Sequence, residues 1–311
     1  MTSGKIVISE FMDEGAVQRL AAAFETTYRP GLCEQPDELA ALLADADALI
    51  VRNRTQVNAT LLARQTRLKA VGRLGVGLEN IDLAYCRAQG VDVFPAIGAN
   101  AGAVAEYVVC TAMMLLRGDA YLATGEVAAG AWPRPRLVAG REIAGKMLGI
   151  VGLGSVGRAT AALARAVGMR VCAHDPALDA GHDAWRDVVR HADLDALMRA
   201  SDAVSVHVPL VDATRDLIDA RRIALMPPGA VLINVARGGV VNEAALADAL
   251  RRGGLAGAAV DVFENEPLPA DSVFAGIPNL ILTPHIAGVT AESNVRVSYA
   301  IADAIAHRLR A

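Results

Sequence analysis

The sequence predicts an α/β protein built from two doubly wound parallel-sheet domains. Short apolar runs alternate with amphipathic segments between Lys5 and Phe94, and a second series of the same kind runs from Lys146 to Leu282. Strands and helices alternating at this spacing imply βαβ units and parallel sheets. The chain has 311 residues and is 53% hydrophobic, enough to bury more than one core. Only 4% of it is aromatic. Ala, Val, Leu and Ile must therefore fill the interior, which suits parallel strands covered on both faces by Ala-rich helices.

Taken in order, the first series offers strands at Lys5–Ile8, Ala48–Val51, Leu68–Val71 and Val91–Phe94, with helical patterns over Asp13–Phe24 and Leu39–Leu43. A long apolar helix from Ala101 to Leu116 follows; Glu106 interrupts it and it is too short to span a bilayer. The segment after it is broken by Gly and Pro through Trp132-Pro133-Arg134-Pro135-Arg136. The second series supplies six strands, Lys146–Val151, Arg170–His174, Ala203–Val206, Ala230–Ile233, Gly257–Val260 and Leu280–Leu282, enough for a complete doubly wound sheet. A last helical pattern, from about Ala291 to Arg308, has no strand after it and is expected to return to the first domain.

Composition excludes several classes of function. A net charge of -4 offers no basic field for a nucleic acid. The N-terminal residues lead into a short strand and not into a signal-peptide core, so neither export nor a membrane partner is expected. Cys33, Cys86, Cys110 and Cys172 form no Cys-x-x-Cys pair, and the six His residues are equally scattered. Reduced thiols, a cytoplasmic location and no metal site are the expectation.

Four segments carry chemistry. Gly152-Leu153-Gly154-Ser155-Val156-Gly157 follows an apolar strand and opens an Ala-rich helix, the context a dinucleotide fingerprint needs. Glycines there permit a tight turn and close approach of a pyrophosphate to helix N–H groups. Asp175 ends the next strand, where a carboxylate accepts from both ribose hydroxyls and repels a 2′-phosphate, so NAD is favoured over NADP. Asn234-Val235-Ala236-Arg237-Gly238-Gly239 places an Arg at a strand end, where its fork suits a carboxylate. Asp261-Val262-Phe263-Glu264-Asn265-Glu266-Pro267 and Thr283-Pro284-His285 each follow another strand, so Asp261, Glu266 and His285 should gather at the same sheet edge.

Together with Gly72-Arg73-Leu74-Gly75-Val76-Gly77-Leu78-Glu79-Asn80-Ile81-Asp82 and His207-Val208-Pro209-Leu210, these segments resemble the D-isomer-specific 2-hydroxyacid dehydrogenases over nearly the whole chain. The resemblance implies a Rossmann NAD-binding domain, residues 100–290, inserted in a flavodoxin-like substrate-binding domain made of residues 1–99 and 291–311. It further implies that Arg237 binds the substrate carboxylate and carbonyl, that His285 is the acid/base, and that Glu266 pairs with it. Asp261 would contact the nicotinamide carboxamide. Gly152, Gly154, Ser155, Val156, Gly157, Asp175, His207, Pro209 and Ala236 would line the cofactor, with His207 in a structural more than a catalytic role.

The implied chemistry is coherent. Reduction of a 2-oxo acid needs a proton for the developing alkoxide and a fixed cation beside the carboxylate. A carboxylate beside an imidazole favours the protonated ring. Leu74, Gly75, Val76 and Gly77 resemble the substrate-domain loop whose N–H groups meet the carboxylate from the other side, with domain closure excluding water. Arg52, Arg54 and Arg73 lie at or after strand ends of the first domain and are left for a second anionic group. The start Ile8 to Glu14 and the stretch Val51 to Val57 look more like the sulfolactate dehydrogenases of this family than the serine-pathway enzymes. The expected substrate is thus a 2-hydroxy acid with an anionic 3-substituent, 3-sulfolactate or 3-phosphoglycerate. Glyoxylate/hydroxypyruvate reduction is the alternative, and an NAD-sensing corepressor-like interaction protein is the alternative of another class. By the same resemblance, Ala101–Leu116 and the segment from Gly125 to Gly140 would form a homodimer interface.

Overall fold

Residues 4–63, 65 and 67–311 are described by a computed structural model, in which the chain divides into two units, residues 1–100 with 289–311 and residues 101–288. In the first unit, β1 (Lys5–Ile8), β2 (Glu25–Tyr28), β3 (Ala48–Val51), β4 (Ala70–Arg73) and β5 (Asp92–Pro95) form one parallel sheet in the order β2-β1-β3-β4-β5. This is the flavodoxin-like order. The alternation of a pleated strand divides the core between its two faces. Ile6, Ile8 and Ile50 join one cluster with Ala16 and Leu20 of the helix Glu14–Ala21 and with Ile301 and Ile305. Val7, Leu49 and Val51 join another with Leu39, Leu43 and Cys86.

Two departures from the sequence reading have physical causes. β2, Glu-Thr-Thr-Tyr, has no apolar run because it is an edge strand with no fully buried residue. β4 lies two residues beyond the expected run, since Leu68 precedes the strand and Arg73 ends it.

The last helix, Ala291–Arg310, begins at a capping box in which the Thr290 side chain accepts from the Ser293 amide and the Ser293 hydroxyl accepts from the Thr290 amide. Its buried stripe of Val297, Ile301, Ala302 and Ile305 covers the first sheet, so the first unit is assembled from both ends of the chain.

The second unit is a seven-stranded parallel sheet of β6 (Met147–Val151), β7 (Arg170–His174), β8 (Val189–Arg190), β9 (Ala203–Val206), β10 (Val231–Asn234), β11 (Gly257–Val260) and β12 (Leu280–Leu282). The order β12-β11-β10-β9-β6-β7-β8 is the Rossmann arrangement extended by β12, and it switches direction between β6 and β9. All of these coincide with strands the sequence predicts except β8, a two-residue exposed edge strand. The helix Ala101–Leu116 packs Val104, Val108 and Ala112 in one cluster with Ala161 and Ala164 of the helix Ser155–Ala166. Beyond it, the short helices Thr124–Ala128 and Arg134–Leu137 bury no residue, and Trp132 is 76% exposed. Among the described residues no helix is long and apolar enough to cross a membrane, and no cluster of His, Cys, Asp and Glu could hold a metal.

The first unit's reliance on the returning helix is open to measurement. Ile301→Ala removes a fully buried side chain and should cost about 2–5 kcal/mol in urea unfolding. A loss below about 1 kcal/mol would show that this helix contributes little to the core.

Candidate active site

The glycine loop between β6 and the helix Ser155–Ala166 is shaped by close contacts on one side and open on the other. Gly152 has φ 94°, and a Cβ there would come within 2.8 Å of the Val208 side chain. A Cβ on Gly157 would lie 2.2 Å from the Gly152 carbonyl oxygen. Gly154, by contrast, meets nothing within 4 Å and precedes a helix that has no side-chain cap. Amides of Ser155, Val156 and Gly157 thus begin a helix at an open face, which fits a pyrophosphate. Asp175 supports the loop from the next strand: its Oδ2 accepts from the Leu153 amide at 2.8 Å and its Oδ1 from the Ala177 amide at 3.0 Å. The remaining lone pairs of both oxygens suit ribose hydroxyls. The residues present therefore fit a dinucleotide.

Arg237, Glu266 and His285 follow β10, β11 and β12, which are neighbours in the sheet. His285 Nδ1 lies 2.8 Å from Glu266 Oε2, and Glu266 Oε1 accepts from the Phe263 amide at 3.0 Å. Both side chains of the pair reach solvent. Arg237 is half-buried and donates through Nη1 to the Ala236 carbonyl at 2.6 Å. Asn234, 2% exposed, braces this turn by donating to the Arg237 carbonyl and accepting from the Ala236 amide. A Cβ on Gly238 would lie 2.0 Å from the Phe263 carbonyl, so only glycine lets the Arg237 and Glu266 loops meet.

The geometry assigns Asp261 a supporting role that motif reading missed. It is 1% exposed; Oδ1 accepts from Thr283 Oγ1 at 2.6 Å and from the Ile286 amide at 2.8 Å, while Oδ2 accepts from the Ala287 amide at 2.8 Å. The Asp261 carbonyl also takes the His285 amide at 2.8 Å, and Tyr107 reaches the Thr283 hydroxyl at 2.6 Å. His285 has φ 56°, a left-handed conformation unusual for a side-chain-bearing residue, and Asp261 holds the loop in that shape. Only Oδ2 keeps lone-pair capacity for the expected carboxamide contact. Thr283 and Asn234 stood inside segments already singled out, but their roles depend on which loops are adjacent.

The first unit's candidates are placed less uniformly. Leu74 is buried and its amide donates to the Val51 carbonyl, while the Gly75 amide donates to Arg73. Of the loop's four amides, those of Val76 and Gly77 are therefore the ones suited to a ligand. The Arg73 guanidinium folds over its own loop: a Cβ on Gly75 would lie 1.4 Å from Nη1. Arg52 donates to Asn294 Oδ1 at 2.7 Å, and Arg54 pairs with Glu34 at 2.6 Å on the surface. Pro209 is exposed, and its carbonyl accepts from the Thr214 hydroxyl.

His207 follows β9, with its Nε2 2.9 Å from the hydroxyl of buried Ser205. Burial pushes the imidazole down to about 3, so it is neutral at working pH. An unfolded His titrates near ~6.5, so the folded state resists a proton that the unfolded state takes up. The associated stability is full above that value and is lost as pH falls towards 3. Between neutral pH and about pH 4, wild type should lose more urea stability than His207→Gln. Equal losses would show that His207 is not held neutral by burial.

Residues 110–287 match the D-isomer specific 2-hydroxyacid dehydrogenase, NAD binding domain. The chain is 51% identical to an (S)-sulfolactate dehydrogenase from Chromohalobacter salexigens, with 98% of each chain covered. It is 35% identical to a hydroxypyruvate reductase from Thermotoga maritima, again with 98% of each covered. Against a D-3-phosphoglycerate dehydrogenase from Methanocaldococcus jannaschii the identity is 35%, over 98% of this chain but 57% of that one. Among solved structures, a D-lactate dehydrogenase from Aquifex aeolicus complexed with NAD and lactic acid superposes with a TM-score of 0.80 at 27% identity, covering 98% of this chain and 95% of that one. The chain belongs to the D-isomer-specific 2-hydroxyacid dehydrogenase family and is an NAD-dependent oxidoreductase.

Proposed function

We propose that this enzyme interconverts a 2-hydroxy acid bearing an anionic group on C3 with its 2-oxo acid, and that 3-sulfolactate is preferred, ahead of 3-phosphoglycerate. The observation that carries the proposal is the 51% identity to an (S)-sulfolactate dehydrogenase along 98% of both chains, against 35% for the hydroxypyruvate reductase and the phosphoglycerate dehydrogenase. Arg52 and Arg54 support it. The Arg54–Glu34 pair is exposed on both sides, and such pairs are worth about 0–1 kcal/mol, so a dianionic ligand can compete for Arg54.

In this mechanism Arg237 binds the carboxylate and polarises the C2 oxygen. His285 has Nδ1 engaged by Glu266, which leaves Nε2 to take the C2 hydroxyl proton in oxidation and return it in reduction. Glu266 fixes the ring orientation and is itself fixed by the Phe263 amide. Gly152, Gly154, Ser155, Val156, Gly157 and Asp175 would hold NAD, with Ala236, His207, Pro209 and Asp261 as the further candidates along it. When bound, NAD supplies the hydride acceptor or donor for C2.

The same reading takes the protein as a cytoplasmic homodimer. The free thiols of Cys33, Cys86, Cys110 and Cys172 suit a reducing compartment. Exposed Tyr121, Leu122, Trp132 and Val138 suit burial against a second copy. Sedimentation at micromolar concentration should give a dimer, and a lone monomer would overturn that part.

The decisive test is kcat/KM for 3-sulfolactate, 3-phosphoglycerate, glycerate, lactate and the hydroxypyruvate reduction, in wild type, Arg52→Ala and Arg54→Ala. Sulfolactate should rank first and lose its lead in the Arg variants. Preference for glycerate, lactate or hydroxypyruvate with an unchanged ranking in the variants would sink the proposal. His285→Gln should reduce kcat by about 10²–10⁴-fold with NADH binding retained. Near wild-type turnover would remove His285 from the mechanism.

A further inference from the structure

Four consecutive amides at the end of β3 converge on one buried carboxylate. Arg52 N and Thr55 N donate to Glu10 Oε1 at 2.9 and 3.0 Å, and Asn53 N and Arg54 N donate to Oε2 at 3.1 and 3.0 Å. Glu10 is 4% exposed and follows β1 by two residues. The loop's carbonyls are held as well: Asn80, 8% exposed, donates to the Thr55 carbonyl at 2.8 Å, and the Ser9 and Thr55 hydroxyls meet at 2.9 Å.

Successive N–H groups turned to one point make an anion-binding nest. Here the protein's own carboxylate fills it. Burial pushes the Glu10 carboxyl up, but hydrogen bonds from the Thr55, Arg52 and Arg54 amides outweigh that effect and leave it below the usual carboxylate range. Burial lowers the Arg52 guanidinium from its ordinary value, and the negative charge of the same carboxylate offsets part of that effect. That guanidinium lies over the Phe11 ring, 5.9 Å from its centroid, and donates to Asn294 Oδ1 at 2.7 Å. All these residues belong to the first unit.

We propose that Glu10 is the positioning residue for recognition of the anionic C3 group: it fixes the 52–55 loop so that Arg52, aimed by Asn294, meets that group already oriented, and it closes the loop's amide nest to competing anions. The inference rests on the reading of Arg52 and Arg54 as the C3-group ligands. A loop already ordered before binding loses less free energy on association than one ordered by its ligand. Neither the dinucleotide site nor the His285–Glu266 pair involves Glu10, so its effect should fall on the affinity for anionic substrates.

Glu10→Gln offers one carbonyl oxygen and an NH₂ group to four N–H donors, so part of the nest loses its acceptor. The full-length variant should raise KM for 3-sulfolactate at least about tenfold with kcat little changed, and should narrow the sulfolactate-to-lactate ratio of kcat/KM to match. Hydrogen exchange at the residue 52–55 amides should accelerate in the same protein. Glu10→Asp keeps the charge but shortens its reach; it should show the same split to a smaller degree and serves if the Gln variant does not fold. Asn294→Leu leaves the nest intact and should also raise KM for sulfolactate. If Arg52→Ala leaves the substrate ranking unchanged, the C3-group reading fails and Glu10 with it. If Arg52→Ala changes the ranking but folded Glu10 variants do not, or if they lower kcat for every substrate alike, the inference about Glu10 alone is overturned.

Discussion

The carboxylate of Asp261 is the interaction on which the shape of the His285 loop depends. It is almost wholly buried and takes two backbone amides and a hydroxyl from the loop that carries His285. A buried acceptor with its donors matched is stabilising, whereas the same donors left without it would each cost roughly 1–3 kcal/mol. The left-handed backbone at His285 persists because this carboxylate and the Asp261 carbonyl over-determine it. Tyr107, from the long helix at the start of the unit, reaches the Thr283 hydroxyl and extends the network to a second element.

Glu10 solves the same physical problem in the other unit. Both carboxylates sit just past a strand end, both are buried, and both accept backbone N–H groups from a loop that follows another strand. Loop amides have no ladder partner, so a buried acidic side chain supplies the acceptor that a neighbouring strand would otherwise provide. Asp47 and Asp202 do similar work at the opposite ends of the sheets, accepting from the Lys5 and Met147 amides where β1 and β6 begin. Acidic residues in this chain are therefore as much backbone fixtures as surface charges.

How much of this is legible in the chain follows from where each residue's information lies. Interior strands such as Ile6–Ile8 and Val231–Ile233 are buried on both faces and so read as apolar runs. Edge strands β2 and β8 have an unpaired side and mixed residues, and they left no such mark. The catalytic candidates were readable because glycine, proline and charge cluster at strand ends, and successive strand ends of a parallel sheet face one edge. That the Leu74 amide completes a strand contact is not legible in the chain, because a buried leucine at a strand end looks there the same as a loop residue facing a ligand.

The sequence by itself determined the two parallel sheets, the glycine loop after β6 and the placing of Arg237, Glu266 and His285 after three neighbouring strands, because each is written in local spacing and in the order of strands. Tertiary structure alone decided that Asp261 holds the His285 loop, that Tyr107 backs Thr283 across 176 residues, that Arg52 meets Asn294 across 242, and that Glu10 fills the nest at residues 52–55. These are hydrogen bonds between side chains and loops brought together only by sheet order and by the return of the last helix. Their donors and acceptors carry no periodicity and no local signature, so nothing short of the folded chain could pair them.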